Sequence, residues 1–306
     1  MLKTSFIVNS KTTDTKSLEK EIVSYCQTHK IPFEIKLTLT PGDAILLTED
    51  AIKSGSRLIV AMGGDGTFNE VLNGLIYSNT NETVLFSGMP CGTANDFCKT
   101  LKMPASIEEL FSCLDKKQIK EIDIGKAEFY EHSGQKSERY FLNSSNVGFS
   151  AEVVDKVNNS KKYLGSKLTY LRAISSTILF GKTEEVVVKT KTESWNGKLF
   201  NISVCNGKFV GSGLQIAPQA SLTDGLFSIT LLRKFSFLDY LKYLPRVFKG
   251  EYLVHDSLTY MSADEISVEG LDNQLGVEMD GEFVGFSKAK FELLPAKLKV
   301  VFAENL

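Results

Sequence analysis

Gly63-Gly64-Asp65-Gly66-Thr67 is a group of residues that could hold a phosphate. It follows an apolar run, Leu58 to Met62, that reads as a buried parallel strand. It precedes Phe68, Val71, Leu72, Leu75 and Ile76, which recur on one face of a helix. A glycine-rich turn from strand to helix presents backbone N–H groups, and the helix dipole favours an anion there. The glycines let the backbone approach a ligand without Cβ clashes. Asp65 stands where a metal–phosphate or a hydroxyl proton could be handled. Thr67 can cap the helix or give its hydroxyl to a phosphate, and Asn69 falls on the polar helix face near the N-terminus. A second turn of this kind, Gly92-Thr93-Ala94-Asn95-Asp96, comes after the run Val84-Leu85-Phe86 and leads into another helix. Two such loops suggest a nucleotide gripped from two sides. Asp224-Gly225 and Asp280-Gly281 lie between strand-like runs and read first as hairpin turns.

The elements that must position these loops alternate over roughly the first 120 residues. Phe6-Ile7-Val8 is a short strand, and a helix surrounds Leu18, Ile22 and Tyr25. Phe33, Ile35, Leu37 and Leu39 alternate as in a strand; Ala44 to Ile52 reads as a helix opened by Pro41-Gly42-Asp43. The Leu58–Met62 strand, a helix from Phe68 to Tyr77 and the Val84–Phe86 strand follow. This order predicts an α/β domain with a parallel sheet and helices on both faces. Ligands of such sheets bind beyond the carboxyl ends of the strands, so loops 38–43, 63–67 and 92–96 can share one crevice.

From about Glu121 short strands dominate: Tyr140–Leu142, Val186–Val188, Phe200–Cys205, Leu226–Leu232, Ile266–Val268 and Val277–Met279. Asn196-Gly197, Asp224-Gly225 and Asp280-Gly281 supply turns between them, which predicts a mostly antiparallel β domain. Two helices interrupt it, Tyr163 to Phe180 and Phe237 to Phe248, with Pro245 expected to kink the second. The domains expected are 1–124 and 125–295. Whether the final run, 296–306, returns to the first domain is left open by the sequence.

Composition bounds the function. The 306 residues carry a net charge of −2, which gives no basic field for nucleic acid. Five scattered cysteines without a CxxC pair, and three dispersed histidines, argue against a zinc site and for a reduced, cytoplasmic setting. No apolar run approaches the ~20 residues of a membrane span, so a soluble protein without a transmembrane segment is expected.

Gly63 to Leu75 together with Gly92 to Phe97 resembles the diacylglycerol kinase catalytic domain, in particular the soluble bacterial lipid kinases of the diacylglycerol kinase and YegS-like type. The likeness continues in order through Asp123-Ile124-Gly125, Arg139 to Asn143 with Gly148-Phe149, Asn206-Gly207 to Gly213, Pro218 to Gly225, and Asp280-Gly281-Glu282. The sequence departs from the family at Asn9-Ser10, where Asn-Pro is common, and at Ala94, where glycine is common.

The resemblance implies a two-domain, NAD-kinase-like lipid kinase using ATP and Mg²⁺, with diacylglycerol or a related lipid as acceptor and a product such as phosphatidic acid. Carried over by position, Gly63, Gly64, Asp65, Gly66, Thr67 and Asn69 would hold the nucleotide phosphates. Gly92, Thr93, Asn95 and Asp96 would contribute from the second loop. Thr38, or its neighbour Thr40, would contact the nucleotide. Glu282 matches the proton acceptor and Asp280 its acidic partner; Asp65 could instead be the base or a ligand of the catalytic Mg²⁺. Asp224 would bind a structural Mg²⁺ with backbone oxygens near Ser221 and Leu226. Alternative readings are an NAD kinase and a nucleotide-binding regulatory protein. A lipid kinase also needs peripheral contact with the inner face of the membrane. The aromatic and basic stretch Phe235 to Lys249 could supply it, or could be an ordinary core-packing helix. A sheet edge in the second domain could pair two chains into a homodimer.

Overall fold

Buried strands and amphipathic helices alternate over the first 122 residues of the computed structural model, which describes residues 1–11, 14–158, 166–271 and 275–304. The elements are β1 (Thr4–Asn9), α1 (Thr15–Thr28), β2 (Phe33–Thr38), α2 (Asp43–Lys53), β3 (Leu58–Gly63), α3 (Asp65–Tyr77), β4 (Leu85–Pro90), α4 (Asp96–Thr100) and α5 (Ile107–Asp115). The strands run parallel in the order β4-β3-β1-β2. Every residue of β3 is buried, as a strand covered on both faces requires. Phe6, Val8, Leu58, Val60 and Met62 face Ile22 of α1 and Leu110 of α5. Strand alternation sends Ile7, Ile59 and Phe86 to the opposite face, where the Phe68 ring of α3 meets Phe86 edge-on at 6.3 Å.

A second unit, Asp123–Pro295, is mostly antiparallel. Its elements are β5 (Ile119–Tyr130), β6 (Lys136–Phe141), β7 (Ser144–Gly148), α6 (Phe149–Asn158), α7 (Ser166–Phe180), β8 (Glu184–Thr190), β9 (Ser194–Leu199), β10 (Asn201–Cys205), β11 (Phe227–Leu232), α8 (Phe237–Phe248), β12 (Leu258–Ala263), β13 (Glu265–Gly270), β14 (Gly276–Met279) and β15 (Glu282–Val301). One path of pairing runs β12-β11-β10-β7-β14-β15, and β13, β8 and β9 continue from β15. Val147, Val204, Ile229, Val277 and Phe291 fill the core on one side of this sheet. Across the path, Thr230, Ser203, Asn146 and Glu278 stand opposite one another in register and so share the other side. The end of β15 leaves this unit and lies parallel beside β4, through Lys299 opposite Leu85 and Val300 opposite Phe86.

Two local expectations need correction. Helix α3 begins at Asp65, not Phe68, because the apolar periodicity starts a turn later than the helix does. Asn196-Gly197 is not a turn but lies inside β9, where Gly197 opposes Val186 and leaves room for the Trp195 ring. The turn of that hairpin falls at 191–193, closed by the Thr190 N–H donating to the Glu193 carbonyl at 2.9 Å. Helices α5 and α6 went unread, and the Tyr163–Phe180 helix is described from Ser166, Tyr163 lying outside the described residues. Helix α8 has the expected bounds, Phe237–Phe248, with Pro245 inside it.

Candidate active site

The parallel sheet of the first unit puts the ends of its strands on one edge. Asn9 of β1 is in register with Thr38 of β2, and Gly63 of β3 with Pro90 of β4. The connections from β1 and β3 leave in opposite directions, so the switch point lies between these two strands, where α/β sheets bind ligands. There the Asn9 amide donates to Thr67 Oγ1 at 3.0 Å.

Helix α3 starts directly at this point. Its N-cap is the extended residue Gly64, which brings no side chain to the first-turn N–H groups. Thr67 therefore does not cap the helix; it sits in the first turn with its hydroxyl engaged by Asn9. The second loop presses against this terminus. A Cβ on Gly92 would stand 2.4 Å from the Gly64 Cα, and the Cys91 N–H donates to the Gly63 carbonyl at 2.8 Å. The result is a close pair of glycines beside an uncapped helix N-terminus, the arrangement that suits an anion.

The other predicted residues of this unit divide into contacts and supports. Asn95, in the left-handed conformation, clasps Gly92: its Oδ1 accepts from the Gly92 N–H at 3.1 Å and its Nδ2 donates to the Gly92 carbonyl at 2.8 Å. Asp65 Oδ1 accepts from the Phe97 N–H at 3.0 Å, so it caps α4 from the neighbouring loop. Asp96 is buried and pairs with Lys99 at 2.7 Å. Asn69 is fully buried rather than on a solvated face, and its Oδ1 accepts from Asn73 Nδ2 at 3.2 Å. Thr38 is buried at the end of β2, its carbonyl accepting from Ser10 Oγ at 2.5 Å. Thr40 is turned to Asp43, donating from both its N–H and its hydroxyl at 2.8 Å. Glu70 accepts from the N–H groups of Gly42 and Ala44 at 2.9 and 3.1 Å and fixes the start of α2 against α3.

In the second unit Asp280 and Gly281 form a two-residue hairpin turn between β14 and β15, with φ of 45° and 85°. The Asp280 carboxylate accepts from the N–H groups of Leu142, Asn143 and Ser144 at 2.8, 2.9 and 3.0 Å. It therefore anchors the turn to the segment after β6. Glu282 follows the turn, and Arg139 Nη2 meets its Oε2 at 2.6 Å. Glu278, which the sequence offered only as part of a strand, is buried behind the turn. Its Oε2 accepts from the Gly281 N–H at 3.0 Å and its Oε1 from Asn146 Nδ2. Burial pushes its carboxyl up to about 7 against these two hydrogen bonds. The sequence signal was a lone carboxylate in an apolar strand beside Asp-Gly.

Asp224 is exposed at the predicted turn, its Oδ1 accepting from the Leu226 N–H at 3.1 Å, while Ser221 Oγ accepts from the Thr223 N–H at 3.3 Å. The buried Asp123 braces this turn by accepting from the Gly225 N–H at 2.9 Å. Among the described residues no three His, Cys, Asp or Glu gather as metal ligands. A single carboxylate with backbone oxygens is an all-oxygen donor set. It fits a hard cation that keeps its waters and does not fit a closed zinc site.

The second unit also holds a cavity of about 180 Å³. Helices α6, α7 and α8 line one side of it with apolar groups such as Phe149, Val153, Ile178 and Val247. The sheet lines the other with Asn146, Asn201, Ser203 and Thr230. The buried Thr230 hydroxyl has no hydrogen-bond partner among the described residues. Helix α8 thus packs inward through Tyr240 and Tyr243, while Leu238 and Leu241 stay 77% and 51% exposed on its outer side. No helix among the described residues is long and apolar enough to cross a membrane.

Two family models match successive stretches of the chain. Residues 3–127 match the model of the diacylglycerol kinase catalytic domain, and residues 143–302 that of the YegS C-terminal NAD kinase beta sandwich-like domain. A Bacillus subtilis protein named "Diacylglycerol kinase" is 28% identical over 88% of this chain and 85% of its own. An Escherichia coli protein named "Probable lipid kinase YegS" is 24% identical over 96% of this chain and 93% of its own. A solved structure from Bacillus anthracis strain Sterne, described as a diacylglycerol kinase, shares the fold with a TM-score of 0.71. It is 21% identical and covers 98% of this chain and 97% of its own.

Proposed function

This chain belongs to the diacylglycerol kinase catalytic-domain family in its YegS-like form, and on that premise we propose that it transfers the γ-phosphoryl group of ATP to the hydroxyl of diacylglycerol or a related lipid. The observation that carries this reading is the presence, in one chain, of an uncapped helix N-terminus between paired glycines and an apolar-walled cavity. The first suits phosphates and the second suits a lipid tail.

The reaction asks for positioning and charge stabilisation more than for covalent chemistry. Backbone N–H groups at Gly64 to Thr67 hold the phosphates, and the Asn95 clasp keeps Gly92 and Thr93 against them. Thr38 contacts the nucleotide from the end of β2. Asp65 would stand beside a Mg²⁺ bound with the nucleotide, which would offset phosphate charge. Asp224, with backbone oxygens at Ser221 and Leu226, would hold a structural Mg²⁺. Glu282 accepts the proton of the lipid hydroxyl as the new P–O bond forms, Arg139 orients its carboxylate, and Asp280 holds the turn it stands on. Leu238, Leu241 and Lys242 on the outer side of α8 rest on the bilayer surface from which the substrate comes.

The test is ATP turnover with diacylglycerol micelles, ceramide, sphingoid bases, phosphatidylglycerol and NAD in parallel. A phosphorylated lipid is the expected product. Transfer to NAD alone would make the chain an NAD kinase, and no transfer to any acceptor would make it a nucleotide-binding protein.

A further inference from the structure

A continuous line of hydrogen bonds joins the wall of the cavity to the turn that precedes Glu282. It starts at the N-terminus of α6, where the Ser150 N–H donates to Asn201 Oδ1 at 3.1 Å. Asn201 Nδ2 donates to Asn146 Oδ1 at 3.3 Å and to Ser203 Oγ at 3.1 Å. Asn146 Nδ2 donates to Glu278 Oε1, and Glu278 Oε2 accepts from the Gly281 N–H at 3.0 Å. Asn146, Asn201 and Glu278 are each no more than 4% exposed. Ser150, Asn201 and Asn146 line the cavity; Glu278 stands one strand beyond Asn146, directly opposite it in register.

Two features set this line apart from ordinary core satisfaction. A buried carboxylate is costly, and the residues in register with Glu278 on this side of the sheet, Asn146, Ser203 and Thr230, are polar but uncharged. What the carboxylate supplies is a pair of acceptors facing opposite ways, one toward the cavity wall and one toward the turn. In addition, Gly281 sits between the two anchored neighbours of the turn: Asp280 is held by three N–H groups, and Glu282 by Arg139. The Gly281 N–H is thus a further point at which the turn before Glu282 is held from inside the unit.

We propose that Glu278 is a positioning residue for Glu282, and that the line through Asn146 and Asn201 couples occupation of the cavity by a lipid to the setting of that turn. The proposal rests on the lipid-kinase reading for its catalytic consequence. A lipid seated against Phe149, Ser150 and Val153 fixes the start of α6, which fixes Asn201, then Asn146, then Glu278. The two states are the Gly281 tether made and the tether loosened. A reacting carboxylate displaced by about 1 Å can lose on the order of 100-fold in rate, so even a partly loosened turn lowers turnover measurably.

The experiment combines kinetics with amide hydrogen exchange on the full chain. Glu278→Gln and Asn201→Ala should each lower kcat for lipid phosphorylation roughly 10-fold while KM for ATP stays near wild type, with thermal melts to confirm that each variant remains folded. The double variant should be no slower than the worse single one, because both break one line. Independently of turnover, diacylglycerol micelles should slow exchange at the Gly281 amide in the wild-type chain and leave it unchanged in Asn201→Ala. Additive losses in the double variant, or a Gly281 amide indifferent to lipid in the wild-type chain, would overturn the proposal. If the wild-type chain phosphorylates no lipid at all, it is the lipid-kinase reading that fails, and the exchange measurement still decides the coupling.

Discussion

Replacing Gly92 by alanine tests the nucleotide half of the site at its tightest point. The added Cβ would lie 2.4 Å from the Gly64 Cα, whereas ordinary contact begins near 3.4 Å. The backbone φ at Gly92 is not left-handed, so the variant carries no conformational strain of its own and the effect is purely one of spacing. The two loops must separate by about 1 Å, the difference between those distances. An N–H group at the start of α3 that reaches a phosphate oxygen at about 2.9 Å would then stand near 3.9 Å, outside hydrogen-bond range. Losing one or two charge-assisted bonds at about 2 kcal/mol each weakens ATP binding by about 2–4 kcal/mol, or roughly 30- to 1,000-fold. Gly64→Ala is the control, because its Cβ meets the Gly92 Cα at 3.3 Å and needs only a few tenths of an ångström. It should cost about threefold or less. Calorimetric titration with a non-hydrolysable ATP analogue and Mg²⁺ measures both, with thermal melts to confirm folding. Wild-type affinity in Gly92→Ala, or an equal loss in Gly64→Ala, would refute the reasoning.

Three further outcomes are expected. Glu282→Gln should lower kcat by about 100-fold or more and leave ATP affinity intact, because it removes the proton acceptor without touching the phosphate cradle; near-normal turnover would dismiss Glu282 as the base. Glu278 should make stability fall with rising pH: its carboxyl is raised from 4.5 to about 7, so its contribution is complete below the unfolded value and is lost as pH climbs through the folded one, by about 3 kcal/mol at most. Urea unfolding of wild type and Glu278→Gln at about pH 5 and 8 should show the variant gaining relative stability at the higher pH, and parallel behaviour would contradict the assignment. Leu238→Ser with Leu241→Ser should weaken co-sedimentation with anionic vesicles several-fold without altering the melting temperature, since both side chains are exposed; unchanged co-sedimentation would confine α8 to a packing role.

The parts of this molecule that the sequence made legible are those with local signals. The glycine loops, the parallel strands around them and the Asp-Gly turns at 224 and 280 depend on residues a few positions apart, and their backbone angles follow. The misreadings share a cause. Asn69 looked solvated because helical periodicity grades residues by polarity, whereas its burial comes from its place in the fold and from pairing with Asn73. Asn196-Gly197 carries the dipeptide of a tight turn, but the strand pairing of β8 with β9 holds it extended. Arg139 and Glu282 are 143 residues apart, and Asn146 and Glu278 are 132 apart, so no window of sequence could join them. Glu278 broke an apolar strand in plain sight, but only its two partners reveal why it is there.

The sheet of the first unit is finished by a segment that the ribosome makes late. Strand β4 ends at Pro90, and its outer neighbour is the stretch of β15 beyond Ala296, about 200 residues further on; there the Ser87 hydroxyl donates to the Val301 carbonyl at 3.2 Å. During synthesis at about 5–20 residues per second, β4 would therefore wait roughly 10–40 s with an open hydrogen-bonding edge. A nascent chain in that interval offers a template for pairing with another copy. Messages that stall after the first unit should thus yield aggregates or chaperone-bound fragments, and slowing translation should lower the yield of folded protein.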